Sequence, residues 1–276
     1  MRGDDTARDR GPAAVRVEDV WKTFRLSRFG PTTLVRFLRT LGRDSGGAVV
    51  REALRGVTFS VPRGERLGLV GTNGSGKTTL LRTICGIYRP TRGRVETSGR
   101  VASFLKLGTG MVQRLTVREN VFLYGAIHGL TRREIAQRFS RILEFAELEG
   151  YADSPVRELS SGMAQRLTFA VAIQVDADVL LLDEVLAVGD QHFKGKCHAY
   201  LERDLPRERT VLFASHDLPE IERFCGRTLW LDAGRVTRIG PTADVLRAYR
   251  EAVGAAAPCA GGPEAAGPRT PAGALA

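Results

Sequence analysis

The chain has 276 residues, 43% hydrophobic and 26% charged, and its 41 Lys and Arg against 31 Asp and Glu give a formal charge of +10. That length can bury the core of one domain, or of a domain with a subdomain, and the basic excess suits a nucleic acid, an anionic leaflet or a polyanionic ligand without choosing among them. The opening MRGDDTARDRGP has no apolar signal core, the later apolar runs are broken by charges, and Cys85, Cys197, Cys225 and Cys259 show no CxxC spacing; a secreted, membrane-spanning, zinc-binding or disulfide-stapled chain is not expected.

In chain order, residues 1–14 are polar and are expected to be disordered. VRVEDVW and LRGVTFSV alternate like strands and flank a basic insert at about 25–52. Within it Leu34, Phe37, Leu38 and Leu41 fall on one helical face, ringed by Arg36, Arg39 and Arg43. From 64 to about 252 short apolar runs alternate with helical patterns, which predicts an α/β fold with a mostly parallel sheet covered by helices. Residues 253–276 are Ala, Gly and Pro, a flexible tail.

The strongest local signal is GTNGSGKTT at 71–79. RLGLV reads as a buried strand before it and KTTLLRTICG as a helix after it, the setting a phosphate loop requires. Gly71, Thr72, Asn73, Gly74, Ser75, Gly76, Lys77, Thr78 and Thr79 form the candidate nucleotide loop. The glycines let successive N–H groups turn inward, and the new helix adds its positive end. Lys77 is placed to reach the β and γ phosphates of ATP, and the Thr78 hydroxyl to ligate Mg²⁺. A second element, DVLLLDEV at 178–185, is a buried strand ending in two carboxylates. Asp183 is the candidate second Mg²⁺ ligand, and Glu184 the group that orients and polarises the attacking water.

A third stretch, ELSSGMAQRL, resembles the signature motif of the ATP-binding cassette (ABC) family. The resemblance implies the fold of an ABC nucleotide-binding domain over 15–252: the P-loop NTPase core sheet, an antiparallel β subdomain, and a helical signature subdomain at about 110–170. It implies a head-to-tail homodimer in which Ser160 and Gly162 meet nucleotide held by the opposing copy. Either Ser160 or Ser161 can cap the helix that follows. TVLFASHD resembles the family's switch strand, giving His216 the γ-phosphate contact, and AVGD resembles its D-loop, with Asp190 at the dimer seam. Phe24 in KTF matches the aromatic position that stacks on adenine, with Trp21 its neighbour and competitor.

One family position departs. A glutamine normally follows the strand after the phosphate-loop helix; here Lys106 and Leu107 stand there, and Gln113 lies close at the wrong spacing. Together with LSSGM, the phrase DEVLAVGDQHFKGKC and the insert, this resembles the ATPase subunits of polysaccharide exporters serving O-antigen, capsule, galactan or teichoic acid. That resemblance implies ATP-driven translocation of a lipid-linked polysaccharide through a separate multi-spanning permease, with the ATPase bound at the cytoplasmic face of the membrane. The arginine-rich insert is then either a membrane-proximal surface or a solvated face over an apolar seam. The alternatives are the ATPase of another ABC transporter, or a soluble ABC ATPase acting on ribosome or DNA. The soluble forms carry tandem cassettes or a long coiled coil, neither of which the sequence contains, so no nucleic-acid partner is expected.

Overall fold

The computed structural model describes residues 12–26, 49–105, 111–184 and 190–255. The insert residues Leu34, Phe37, Leu38 and Leu41 with their arginines, Lys106 and Leu107, and the tail from 256 onward lie outside them.

Two long strands open the chain, β1 (Ala13–Leu26) and β2 (Val49–Pro62), paired antiparallel as far as Leu26 opposite Val49. Along β1 the side chains alternate, Val15 and Val17 fully buried and Arg16 exposed between them, so one face of the ribbon is apolar. β3 (Arg66–Val70) has no such alternation; all but its first residue are buried, as a strand covered on both faces requires. It runs through the glycine-rich turn into α1 (Lys77–Ile84). β4 (Arg92–Thr97) returns to pair with β1, completing a three-stranded antiparallel sheet in the order β2-β1-β4.

β5 (Val101–Leu105) enters the second sheet and is followed by α2 (Val117–Ile127), α3 (Arg132–Ala146) and α4 (Ser161–Ile173). Then come β6 (Val179–Asp183), α5 (Gln191–Ala199) with a π turn over Tyr200–Asp204, and β7 (Thr210–Ala214). α6 (Leu218–Phe224), β8 (Arg227–Asp232), β9 (Arg235–Pro241) and α7 (Thr242–Ala255) complete the described chain. The six strands lie in the order β5-β6-β7-β3-β8-β9. All neighbours are parallel except the β8–β9 hairpin at the edge.

α1 is the keystone between the two sheets. Its Leu80, Leu81 and Ile84 share one buried cluster with Val15, Val17, Leu54 and Val57 of the antiparallel sheet and Leu67 and Leu69 of β3. The opposite face of the large sheet packs Phe104 and Phe213 with Phe169 of α4 and Phe193 of α5 in a second cluster. The rings of Phe145, Phe169 and Phe193 meet with centroids 5.8–6.2 Å apart, which fastens α3, α4 and α5 together.

α2 and α3 both begin with reciprocal caps, Thr116 with Glu119 and Thr131 with Glu134. Asn120, 1% exposed, faces back over the turn before α2. Its amide Nδ2 donates to the carbonyls of Val112, Leu115 and Thr116 at 3.0, 3.1 and 2.9 Å, and its Oδ1 accepts from the Val112 N–H at 2.8 Å. Asn120→Ala should cost about 2–3 kcal/mol, because it strands a buried N–H and carbonyls at once. An unfolding free energy from urea titration within about 0.5 kcal/mol of the parent would reject that role. Among the described residues no helix is long and apolar enough to cross a membrane.

Candidate nucleotide-hydrolysis site

The parallel register brings the functional segments to one edge. Leu105 of β5 stands opposite Asp183 of β6, Asp183 opposite Ala214 of β7, and Leu69 of β3 opposite Ala214. The turns that leave these carboxyl ends therefore converge, where ligands of doubly wound sheets bind. The loop after β3 needs glycine at two points. Gly71 has φ 154°, and a Cβ there would run into the Leu231 carbonyl. Gly76, with φ 112°, would carry a Cβ 2.7 Å from the Ala53 carbonyl.

Lys77 is folded onto the loop itself. Its Nζ donates to the carbonyls of Gly71 and Thr72 at 2.6 and 3.2 Å, and burial holds its pKa below the ordinary lysine value against the pull of Asp183 and Glu184. The adjacent Thr78 hydroxyl donates to Asp183 Oδ2 at 2.7 Å. Burial raises the Asp183 pKa, and the Thr78 hydrogen bond opposes that rise. Ser75 is buried, and its hydroxyl has no protein partner.

Glu184 follows Asp183 with φ 54°, its N–H bonded to the Ala214 carbonyl at 2.9 Å. This left-handed turn swings its carboxylate out of the sheet, to 3.5 Å from His216 Nδ1. Both side chains are exposed and free to turn toward a ligand. The turn that carries His216 is held by a network of its neighbours that sequence reading missed. The Ser215 hydroxyl donates to the buried Glu220 at 2.9 Å and accepts from the Asp217 N–H at 3.0 Å, while Lys194 bridges Glu220 and Asp217 at 2.8 and 3.3 Å. Nothing in SHDLPE marks the serine and the glutamate as partners except their close spacing on a turn and the helix after it.

A second group lies at the start of α4. Ser160 is the helix cap, its hydroxyl accepting from the Met163 N–H at 3.2 Å, which decides between the two serines. Asp190 caps α5 through the Phe193 N–H at 2.9 Å and pairs with Arg166. Ser160, Ser161, Gly162, Gln165, Arg166 and Asp190 line an open cleft.

Phe24 is half-buried, edge-on to Tyr88 with centroids 5.2 Å apart, and Lys22 Nζ lies 5.2 Å from its ring. Its strand partner Arg51 reaches with its guanidinium to Gly74 in the glycine-rich loop. Trp21 is engaged differently, its Nε1 donating to Asp19 at 2.9 Å beside the Gly56 turn. Gln113 is exposed, and its carbonyl accepts from the Arg157 N–H at 3.1 Å.

Comparison with known proteins fits this arrangement. The family model described as ABC transporter matches residues 54–187. An O-antigen export system ATP-binding protein of Klebsiella pneumoniae is 43% identical over 201 residues, covering 73% of this chain and 82% of its own. The chain belongs to the ABC transporter family. It is an ABC ATPase, the ATP-binding and ATP-hydrolysing member of such systems. An O-antigen export ATP-binding protein of Myxococcus xanthus is 43% identical over 246 residues, and a teichoic acid export ATP-binding protein of Bacillus cereus 37% over 213. The ABC ATPase spans 56% of the first of these two and 39% of the second. Among solved structures, a dimeric ATP-binding cassette in a post-hydrolysis state with ADP and phosphate has the same fold, with a TM-score of 0.66 at 23% identity over 83% of this chain and 98% of its own.

Proposed function

We propose that this ABC ATPase powers export of a lipid-linked polysaccharide through a separate multi-spanning permease, working as a homodimer at the cytoplasmic face of the membrane. The observation that carries the proposal is the kinship with O-antigen and teichoic acid export ATP-binding proteins at 37–43% identity over 201 residues or more. The LSSGM form of the signature and the insert between β1 and β2 support the same assignment.

The site supports a mechanism in which each phosphate loop holds one ATP. The glycine-rich loop of 71–79 and the N-terminus of α1 cradle its phosphates, and Lys77 exchanges its loop carbonyls for phosphate oxygens. Thr78 and Asp183 present two hard oxygens side by side, which fits Mg²⁺, an ion satisfied by one or two protein oxygens completed by phosphate and water. That ion would neutralise charge developing on the β and γ phosphates. Glu184 orients the attacking water and takes its proton, and His216, 3.5 Å from it, contacts the γ phosphate. Ser160, Gly162 and Asp190 act from the second copy on the nucleotide of the first, and Phe24 stacks on adenine.

The deciding experiment is in cells. With Lys77→Ala replacing the native chain, surface polysaccharide should be lost while lipid-linked glycan accumulates in the cytoplasm. Unchanged glycan in both places would move the protein to another transporter. Co-purification with ribosomes or DNA rather than membranes would indicate a soluble role.

A further inference from the structure

Glu147 ends α3 in the left-handed region, with φ 60° and ψ 46°. Glycine or asparagine is the usual occupant of such a position, because any Cβ there crowds the following carbonyl. Its carboxylate is also the shared partner of three cationic or basic side chains from two other helices. Arg166 of α4 approaches at 2.9 Å, Lys196 of α5 at 3.4 Å and His192 of α5 at 3.6 Å. The Arg166 guanidinium lies between Glu147 and Asp190, and Asp190 is the cap of α5. Lys196 also donates to the Glu144 carbonyl at 3.3 Å and sits 5.0 Å from the Phe145 ring.

These contacts tie the end of α3 to the signature helix and to the helix after the D-loop. Single half-exposed ion pairs contribute little, but several converging on one carboxylate form a network that restricts relative motion. A residue kept in a costly backbone conformation while making contacts glycine cannot make points to a role beyond ending a helix.

We propose that Glu147 is a positioning residue: it fixes the first turns of α4, carrying Ser160 and Gly162, against the start of α5, carrying Asp190, so that both reach a nucleotide as one rigid unit. This rests on the functional reading above, in which those residues face ATP held by a second copy. The phosphate loop is no part of the network, so nucleotide binding to a single chain is not expected to depend on it.

Glycine separates the two roles. Glu147→Gly relieves the backbone and removes the carboxylate; a residue that only terminates α3 is improved by this change, whereas a positioning residue is not. The expected result is a melting temperature close to the parent, an unchanged affinity for a fluorescent ATP analogue, and a kcat lowered about fivefold. Glu147→Gln keeps an oxygen for Arg166 and should recover activity to within about twofold of the parent. Lys196→Met cuts one arm of the network, together with the Lys196 contact to the Glu144 carbonyl, while leaving Glu147 itself in place, and should lower kcat about twofold; it decides the matter if the glycine variant folds poorly. Parent-level kcat in both Glu147→Gly and Lys196→Met would overturn the proposal. If changing the signature itself, Gly162→Asp, leaves the parent's kcat unchanged, the functional reading fails, a result distinct from the first.

Discussion

Purified Glu184→Gln protein should bind ATP as tightly as the parent and hydrolyse it about 10²–10³-fold more slowly, the usual loss when a positioned base is removed. The substitution is close to isosteric and falls on an exposed side chain, so the fold should not change. The φ of 54° and the Glu184 N–H bond to Ala214 belong to the backbone and survive it. What disappears is an anion 3.5 Å from His216 that can take a proton from water. Because ATP stays uncleaved, the two-copy closed state should accumulate, seen as an ATP-dependent shift to dimer mass in light scattering. Normal turnover with no such shift would remove Glu184 from the chemistry and leave the base to be found elsewhere along the β6–β7 edge. A slow variant that stays monomeric would keep the base assignment and place dimer closure under the control of the permease.

What was legible in the sequence follows how local each feature is. The phosphate loop and the β6 carboxylates are contiguous segments whose backbone environment is written in the same few residues. Their convergence, Thr78 hydroxyl on Asp183 carboxylate, needed only the strand–loop–helix rule and the carboxyl edge of a parallel sheet. Of the antiparallel sheet, β1 and β2 were legible as strands, but β4 and the strand order were not. β4 closes on β1 across the phosphate-loop helix, and no alternation pattern states that pairing. Glu147 was invisible because its partners lie 19 to 49 residues away on other helices, and a glutamate after FA reads as an ordinary helix end. Asn120 carried a faint signal, a polar residue between Val117 and Val121 on the buried face of α2. The Phe24–Tyr88 pair had none, since it joins strand β1 to the turn after α1.

The second large effect belongs to Lys77. Lys77 is buried, 8% exposed as a residue, and its ammonium donates to two carbonyls of its own loop, so the charge proposed to meet phosphate is held within the loop. In the proposed mechanism phosphate oxygens take the place of those carbonyls, in surroundings whose burial already holds the lysine pKa down. Lys77→Ala removes that charge from a site where Asp183 and Glu184 remain, leaving the Arg82 guanidinium as a cation that still acts on Asp183. ATP affinity should fall about 10²-fold, in line with the loss of a charge-assisted contact in a desolvated site. The check is thermal. Saturating Mg·ATP should raise the parent's melting temperature by mass action, about 2.7 kcal/mol at a hundredfold excess over Kd, and should leave the Lys77→Ala protein nearly unmoved at the same concentration. Equal shifts in the two proteins would mean that the loop's N–H groups and the α1 terminus hold the phosphates without the lysine, and would confine Lys77 to the hydrolytic step. Lys77→Arg is no rescue, because a planar fork cannot fit the two loop carbonyls that a rotating ammonium reaches at 2.6 and 3.2 Å.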